Sequence, residues 1–179
     1  MFGAICFRRL PIAFSSALLL AGCQTAQPQR TALVQPRSDF TERQVAALEA
    51  QGFHESRDGY ELNVENRILF GFDERAVTPD SAVMLRKMAV TLLGVGIHGA
   101  EVEGHTDSIG AASYNLRLSR ERAVAVGNEL IAGGMAPDHI RIIGRGATDP
   151  IASNETEAGR QENRRVVILV SPADAAPLR

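Results

Sequence analysis

A chain of 179 residues, 45% hydrophobic and 22% charged, holds enough apolar material for one ordinary folded domain and an appended tail. A formal net charge of −2 argues against nucleic acid as a partner, since such binding draws on a cationic surface that releases counterions. With 5% aromatic residues and no tryptophan, there is also little from which to build sugar-stacking platforms.

The chain opens with Arg8-Arg9 ahead of an apolar run from Leu10 to Leu20, too short and wrongly flanked to span a membrane as a mature helix. It reads as a secretory signal over residues 1–22. The run ends in Leu20-Ala21-Gly22-Cys23, small residues before a cysteine, as in a bacterial lipobox. Cys23 is then the expected lipidated N-terminus; the alternative is an ordinary cleavage site with an incidental cysteine. Several acyl chains at roughly 0.8 kcal/mol per buried methylene would make detachment negligible. Cys6 lies within the signal, so no thiol is left for a disulfide or metal site. Removing residues 1–22 deletes two arginines and no acid, which takes the net charge from −2 to −4. Gln24 follows the cysteine where, in lipoprotein sorting, Asp commonly signals inner-membrane retention. The expected destination is therefore the outer membrane, facing the periplasm.

Residues 23–37 are rich in Gln, Pro, Thr and Ala without apolar period, the pattern of a flexible tether. Such a segment spans on the order of 20 Å as a coil and about 50 Å when straight. A helical arm is expected over residues 38–57. Thr41 with Gln44 makes a capping box, Phe40 and Val45 a hydrophobic staple, and Gly52 with Leu48 and Phe53 a Schellman stop. A helix this short needs another surface for Phe40, Val45, Leu48 and Phe53, supplied either by its own domain or by a partner.

The remaining stretch, residues 58–171, alternates strand and helix signals, with residues 172–179 expected to fray. Tyr60, Leu62 and Val64 alternate as a strand, and Ile68-Leu69-Phe70 forms a second. Thr78, Pro79 and Asp80 open a helix running to about Leu93, with Leu85, Met88, Ala89 and Leu92 as its buried stripe. A strand near Ala100 to Glu103 leads into a turn. A long helix from about Tyr114 to Ala132 stops at Gly133-Gly134, and strands follow at Ile140 to Ile143 and Arg165 to Val170, the last apolar enough to be central. The fold class is α/β: a mixed β-sheet with helices packed on it.

The chemistry gathers in Val102-Glu103-Gly104-His105-Thr106-Asp107, then Gly110, Asn115, Leu118-Ser119, Arg122-Ala123 and Asn163-Arg164-Arg165-Val166. At about 100 degrees per residue, Asn115 and Arg122 share one face of the long helix with Leu118 and Val126. A guanidinium on the core side needs an anion, and Asp107 on the preceding turn is the nearest candidate by chain order. Glu129 lies on the same face, which leaves a purely structural role for Arg122 open. Catalysis finds no support. His54, His98, His105 and His139 lack metal-ligand spacing, no nucleophile elbow is present, and no cofactor or metal is implied.

These motifs resemble the OmpA-like peptidoglycan-binding domain, also found in Pal lipoproteins, over roughly residues 68–170. The resemblance implies a non-catalytic module that grips diaminopimelate in peptidoglycan stem peptides, whose free end carries an ammonium and a carboxylate on one carbon. Asp107 would take the ammonium and Arg122 the carboxylate through a two-pronged pair. Thr106, Asn115, Gly110, Phe72 and Asp73 would complete the cradle, Leu118 would form an apolar wall, and Arg164 and Arg165 would line the rim. Gly71 departs from the polar residue that many such domains carry in the first loop. The run from Phe40 to Leu48, with Gly52-Phe53, Tyr60-Glu61-Leu62, Ile68-Leu69-Phe70-Gly71 and Pro150 to Asn154, further resembles the YfiB lipoprotein family. That resemblance implies binding of a periplasmic repressor, YfiR-like, through the Phe40 to Phe53 arm. Sequestering it would activate an inner-membrane diguanylate cyclase, YfiN-like, raise cyclic di-GMP and favour biofilm. The alternative is a Pal-like structural lipoprotein that tethers outer membrane to wall without signalling.

Overall fold

Five of the six residues in Arg165–Val170 are Val, Ile or Leu, a composition that only a strand covered by neighbours can bury. In the computed structural model, which describes residues 40–65 and 76–175, this strand stands at the middle of a five-stranded sheet. In chain order the elements are α1 (Glu42–Ala50), β1 (His54–Ser56), β2 (Gly59–Glu65), α2 (Pro79–Leu93), β3 (Ala100–His105), α3 (Ala112–Ala132), β4 (Ile140–Gly146), α4 (Glu157–Asn163) and β5 (Arg165–Val170). The strand order is β1-β2-β5-β3-β4. β5 runs antiparallel to both β2 and β3, whereas β3 and β4 are parallel, joined through α3. The mixed α/β fold is the one expected of an OmpA-like domain.

Register puts Tyr60, Leu62 and Val64 beside Val170, Ile168 and Val166, with Val102 next to Ile168 on the other side. This face joins Leu85, Met88, Ala89 and Leu92 of α2 and Ala123, Val126 and Leu130 of α3 in one core. α2 begins as its sequence dictates: Thr78 accepts from the Ser81 amide and Pro79 occupies the first turn. Alternate residues on the other sheet face carry charge, where Arg141 pairs with Glu101 and Arg145 with Glu103.

The arm is built into this core. Thr41 accepts from the Gln44 amide and Gln44 accepts from the Thr41 amide, which closes the capping box. Phe53 N–H donates to Leu48 O at 3.1 Å with Gly52 at φ +89°, the expected Schellman stop. Phe40, Leu48 and Phe53 are buried, Val45 packs partly buried beside them, and Phe40 meets Tyr60 edge-on at 5.5 Å. β1 then pairs with β2. Of the two surfaces open to these residues on sequence grounds, their own domain is the one they occupy. The division at 57/58 accordingly crosses a hairpin.

Other differences have local causes. β3 and β4 run on to His105 and Gly146 because parallel pairing continues through an irregularity at Gly104/His105. β1 is only three residues, too short to show alternation. α4 is polar, started by Thr156 accepting from the Gly159 amide. Residues 172–175, expected to fray, form a 3-10 turn because Asp174 is anchored: Arg141 grips its carboxylate through two bonds, and its carbonyl accepts from His98 N–H at 2.7 Å. The signal, the tether, the strand at 68–70, the Gly71 loop and residues 176–179 lie outside the described residues.

Leu48 has no exposed surface. Leu48→Ala should therefore cost about 2–5 kcal/mol of unfolding free energy in a denaturant titration, the range of buried leucine truncations. A loss under ~0.5 kcal/mol, as expected of a surface change, would show α1 to be detached from the core in solution.

Candidate functional site

The site begins where β3 leaves the sheet. A Cβ on Gly104 would lie 1.9 Å from the Ser119 carbonyl oxygen, so only glycine lets α3 cross this strand so closely. Ser119, fully buried, accepts from Gly146 N–H at 2.9 Å and donates to Leu116 O, and Thr106 N–H donates to Gly146 O at 2.8 Å. The ends of β3 and β4 are thus locked to the first half of α3, and the chain turns out of the sheet at Asp107.

Asp107 is 8% exposed, and both of its carboxylate oxygens are engaged. Oδ1 accepts from Ile109 N–H at 2.9 Å, an Asx turn that makes the loop curl around the carboxylate. Oδ2 accepts from Arg164 Nη1 at 2.7 Å. Gly110 at φ +96° completes the turn in a conformation that other residues rarely adopt. Asn115 fixes it from α3, its side-chain amide donating to Asp107 O at 3.2 Å and Ile109 O at 3.0 Å. Its N–H groups therefore shape the cradle and are not turned outward to a ligand.

Arg122 is 8% exposed on the same buried face of α3 as Asn115 and Ser119. The sequence suggested Asp107 as its anion. Asp107 Oδ2 pairs with Arg164, which crosses from the start of β5, 57 residues away in the chain. Glu129, the other sequence candidate for Arg122, is taken by Arg86 at 2.6 Å. Thr106 is buried beside Asp107, and its hydroxyl has no hydrogen-bond partner among the described residues. Leu118 is half-buried. Phe72, Asp73 and Cys23 lie outside the described residues.

Arg164 Nη2 also donates to Glu157 Oε1 and Gln161 Oε1, each at 2.7 Å, so this guanidinium bridges Asp107 and α4. Arg165, expected on the rim, is buried. Its Nη2 donates to Asp149 O at 3.2 Å, which makes it an anchor for the 147–156 loop. Burial pushes its guanidinium below the ordinary arginine value, against the pull of Asp149 and Glu103.

Several contributors are not assigned a role at the site from the sequence. Asn163, fully buried, accepts from Ile151 N–H and Ala152 N–H and donates to Ala152 O and Asn154 Oδ1. Asn154 Oδ1 in turn accepts from Ser108 N–H at 3.1 Å, joining the 147–156 loop to the Asp107 turn. Asn163 and Asn154 stand in motifs visible in the sequence; Glu157 and Gln161 are brought in only by the fold. Ile109 and Ile151 stand exposed on the two joined loops. The arrangement is a nearly buried carboxylate held at the end of β3 by one guanidinium and one backbone amide, with Arg122 buried on the α3 face that also carries Asn115.

His105 does not belong to this opening. It is 3% exposed, 3.5 Å from Glu103, and burial with Arg165 nearby pushes its pKa down to about 4, so it is neutral at ordinary pH. Among the described residues no cluster of three or more His, Cys, Asp or Glu side chains could hold a metal ion, and no helix is long and apolar enough to cross a membrane.

Comparison with known proteins places this geometry. The model of the OmpA family matches residues 69–164. The chain is 41% identical over 161 residues to the outer-membrane lipoprotein YfiB of Pseudomonas aeruginosa, covering 90% of each chain. It is 38% identical over 162 residues to the putative lipoprotein YfiB of Escherichia coli, covering 90% of this chain and 94% of that one. Among solved structures it is similar to the cell wall anchor of the T6SS from Pseudomonas aeruginosa, with a TM-score of 0.58 and 27% identity over 72% of this chain and 94% of that one.

The buried His105 ties stability to pH with a definite sign. Its folded pKa, about 4, lies below the ordinary 6.5, so between these values the unfolded chain binds the extra proton. Its contribution is complete above pH ~6.5 and is lost as pH falls through about 4, on the order of 3 kcal/mol in all. Melting temperature measured from pH 7 to 4.5 should fall in the wild type and fall less steeply in His105→Asn. Equal slopes would contradict the assignment.

Proposed function

The chain belongs to the OmpA family, with YfiB-type outer-membrane lipoproteins among its relatives, and on that premise we propose that it tethers the outer membrane to the cell wall by gripping the diaminopimelate of peptidoglycan stem peptides. Its place is the outer membrane, facing the periplasm. The domain is of a structural, non-catalytic kind. We assign the lipid anchor to Cys23, with residues 24–37 as the tether.

One observation carries the reading of the ligand. Asp107 is nearly buried yet sits at a turn, its backbone fixed by Asn115 and its side chain pre-oriented by Ile109 N–H and Arg164. A carboxylate so placed suits an ammonium, and a guanidinium suits the carboxylate on the same carbon. Arg122 is the residue to which we assign that carboxylate. The half-buried Leu118 and the exposed Ile109 and Ile151 offer apolar surface to the aliphatic part of a stem peptide. The fold relative that is a cell wall anchor supports the wall as the partner.

A second reading is favoured by the near-full-length match to YfiB, which reaches beyond the OmpA-like region into α1. In it the protein also sequesters a YfiR-like periplasmic repressor and so releases a YfiN-like diguanylate cyclase. Phe40, Leu48 and Phe53 are occupied in the core, so docking through them requires α1 to leave its domain. That makes the wall tether the leading function.

Purified protein should sediment with insoluble peptidoglycan, and Asp107→Ala or Arg122→Ala should reduce the bound fraction by about tenfold or more, the loss of one charge-assisted contact. Circular dichroism should show each variant folded. Sedimentation undiminished in both would refute the site.

A further inference from the structure

Resting on the reading of Asp107 as the ammonium receptor, we propose that Arg164 is a specificity-determining residue that makes the site select a zwitterion over a bare amine. The ammonium position at Asp107 Oδ2 is already filled by a cation of the protein, Arg164 Nη1 at 2.7 Å. Any incoming ammonium competes with it. The pair is largely shielded, with the Asp107 side chain 11% and the Arg164 side chain 27% exposed, so two cations crowding one carboxylate repel more strongly there than in open water.

A bare amine brings a positive charge and nothing to offset it. It must displace Arg164 from Asp107 or share the carboxylate against that repulsion. A zwitterion delivers an anion together with its ammonium, so the charge count around Arg164 and Asp107 is unchanged by binding. The two guanidinium nitrogens of Arg164 make this exchange feasible. When Nη1 releases Oδ2, Nη2 is still bound to Glu157 Oε1 and Gln161 Oε1, each at 2.7 Å, so the side chain stays at the crevice wall. Glu157 is itself held by Arg160 through two bonds, at 3.1 and 2.7 Å. Arg164 therefore has a fixed second anion to lean on while its contact with Asp107 changes hands.

The test compares two probes of equal carbon spacing, meso-diaminopimelate and cadaverine, which is the same chain without its carboxylates. Calorimetric titration of the full chain should give diaminopimelate affinity at least about tenfold above that for cadaverine. Arg164→Gln should bring the ratio down by about tenfold, cadaverine gaining far more than diaminopimelate; Arg164→Lys should keep most of it. Glu157→Gln changes an exposed side chain and leaves folding intact, yet it should weaken diaminopimelate several-fold by tightening Arg164 on Asp107. An unchanged ratio in Arg164→Gln, or unchanged affinity in Glu157→Gln, overturns the proposal. Failure of the wild type to bind diaminopimelate would overturn the ammonium-receptor reading itself, a distinct result.

Discussion

A single carboxylate, Asp107, organises the functional end of this domain, and what it requires explains most of the surrounding architecture. A nearly buried anion is costly unless hydrogen-bonded and paired. Here the Ile109 amide and the Arg164 guanidinium meet that need. Each partner makes a demand in turn. The amide requires the Asx turn, which Asn115 holds from α3 and Gly110 completes with positive φ. The guanidinium requires the start of β5 to lie beside the end of β3, which the antiparallel pairing of those strands provides, Gly104 opposite Val166.

Three consecutive residues, Asn163, Arg164 and Arg165, then serve one side of the site from the junction of α4 and β5. Asn163 moulds the 147–156 loop through four hydrogen bonds, Arg164 reaches Asp107, and Arg165 fastens the Asp149 carbonyl. The hydrophobic sheet face underneath supplies the rigidity. Val102, Val166 and Ile168 are essentially unexposed against α2 and α3, so the strand ends that present the charged groups have little freedom to shift.

Local features of this fold were legible in the sequence, and features formed across distance were not. Thr41 with Gln44 and Thr78 with Pro79 signal helix starts through bonds spanning three residues, and both helices begin where those residues say. The apolar run at Val166 to Val170 marked a central strand for a similar reason: composition alone reports how much must be covered. Helical periodicity correctly put Asn115 and Arg122 on one buried face of α3. The partner of Asp107 is a different matter. Chain proximity and helix geometry pointed to Arg122; the pairing with Arg164, 57 residues away, follows from the strand order β2-β5-β3, which no local pattern encodes. Likewise the tail read as frayed because Pro172 to Ala175 has no apolar period. A single anion, Asp174 against Arg141, holds it in place. The arm's complete start and stop signals left open whether it packs on its own domain or on a partner; Phe40, Leu48 and Phe53 lie in the common core, with Val45 packed against it.

The central claim concerns one atom pair, and a crystal grown with meso-diaminopimelate addresses it directly. The account predicts the ligand ammonium within ~3 Å of Asp107 Oδ2, with its carboxylate on the Arg122 guanidinium. A ligand bound elsewhere, or a crevice empty at saturating concentration with the Asp107–Arg164 pair intact, would contradict it.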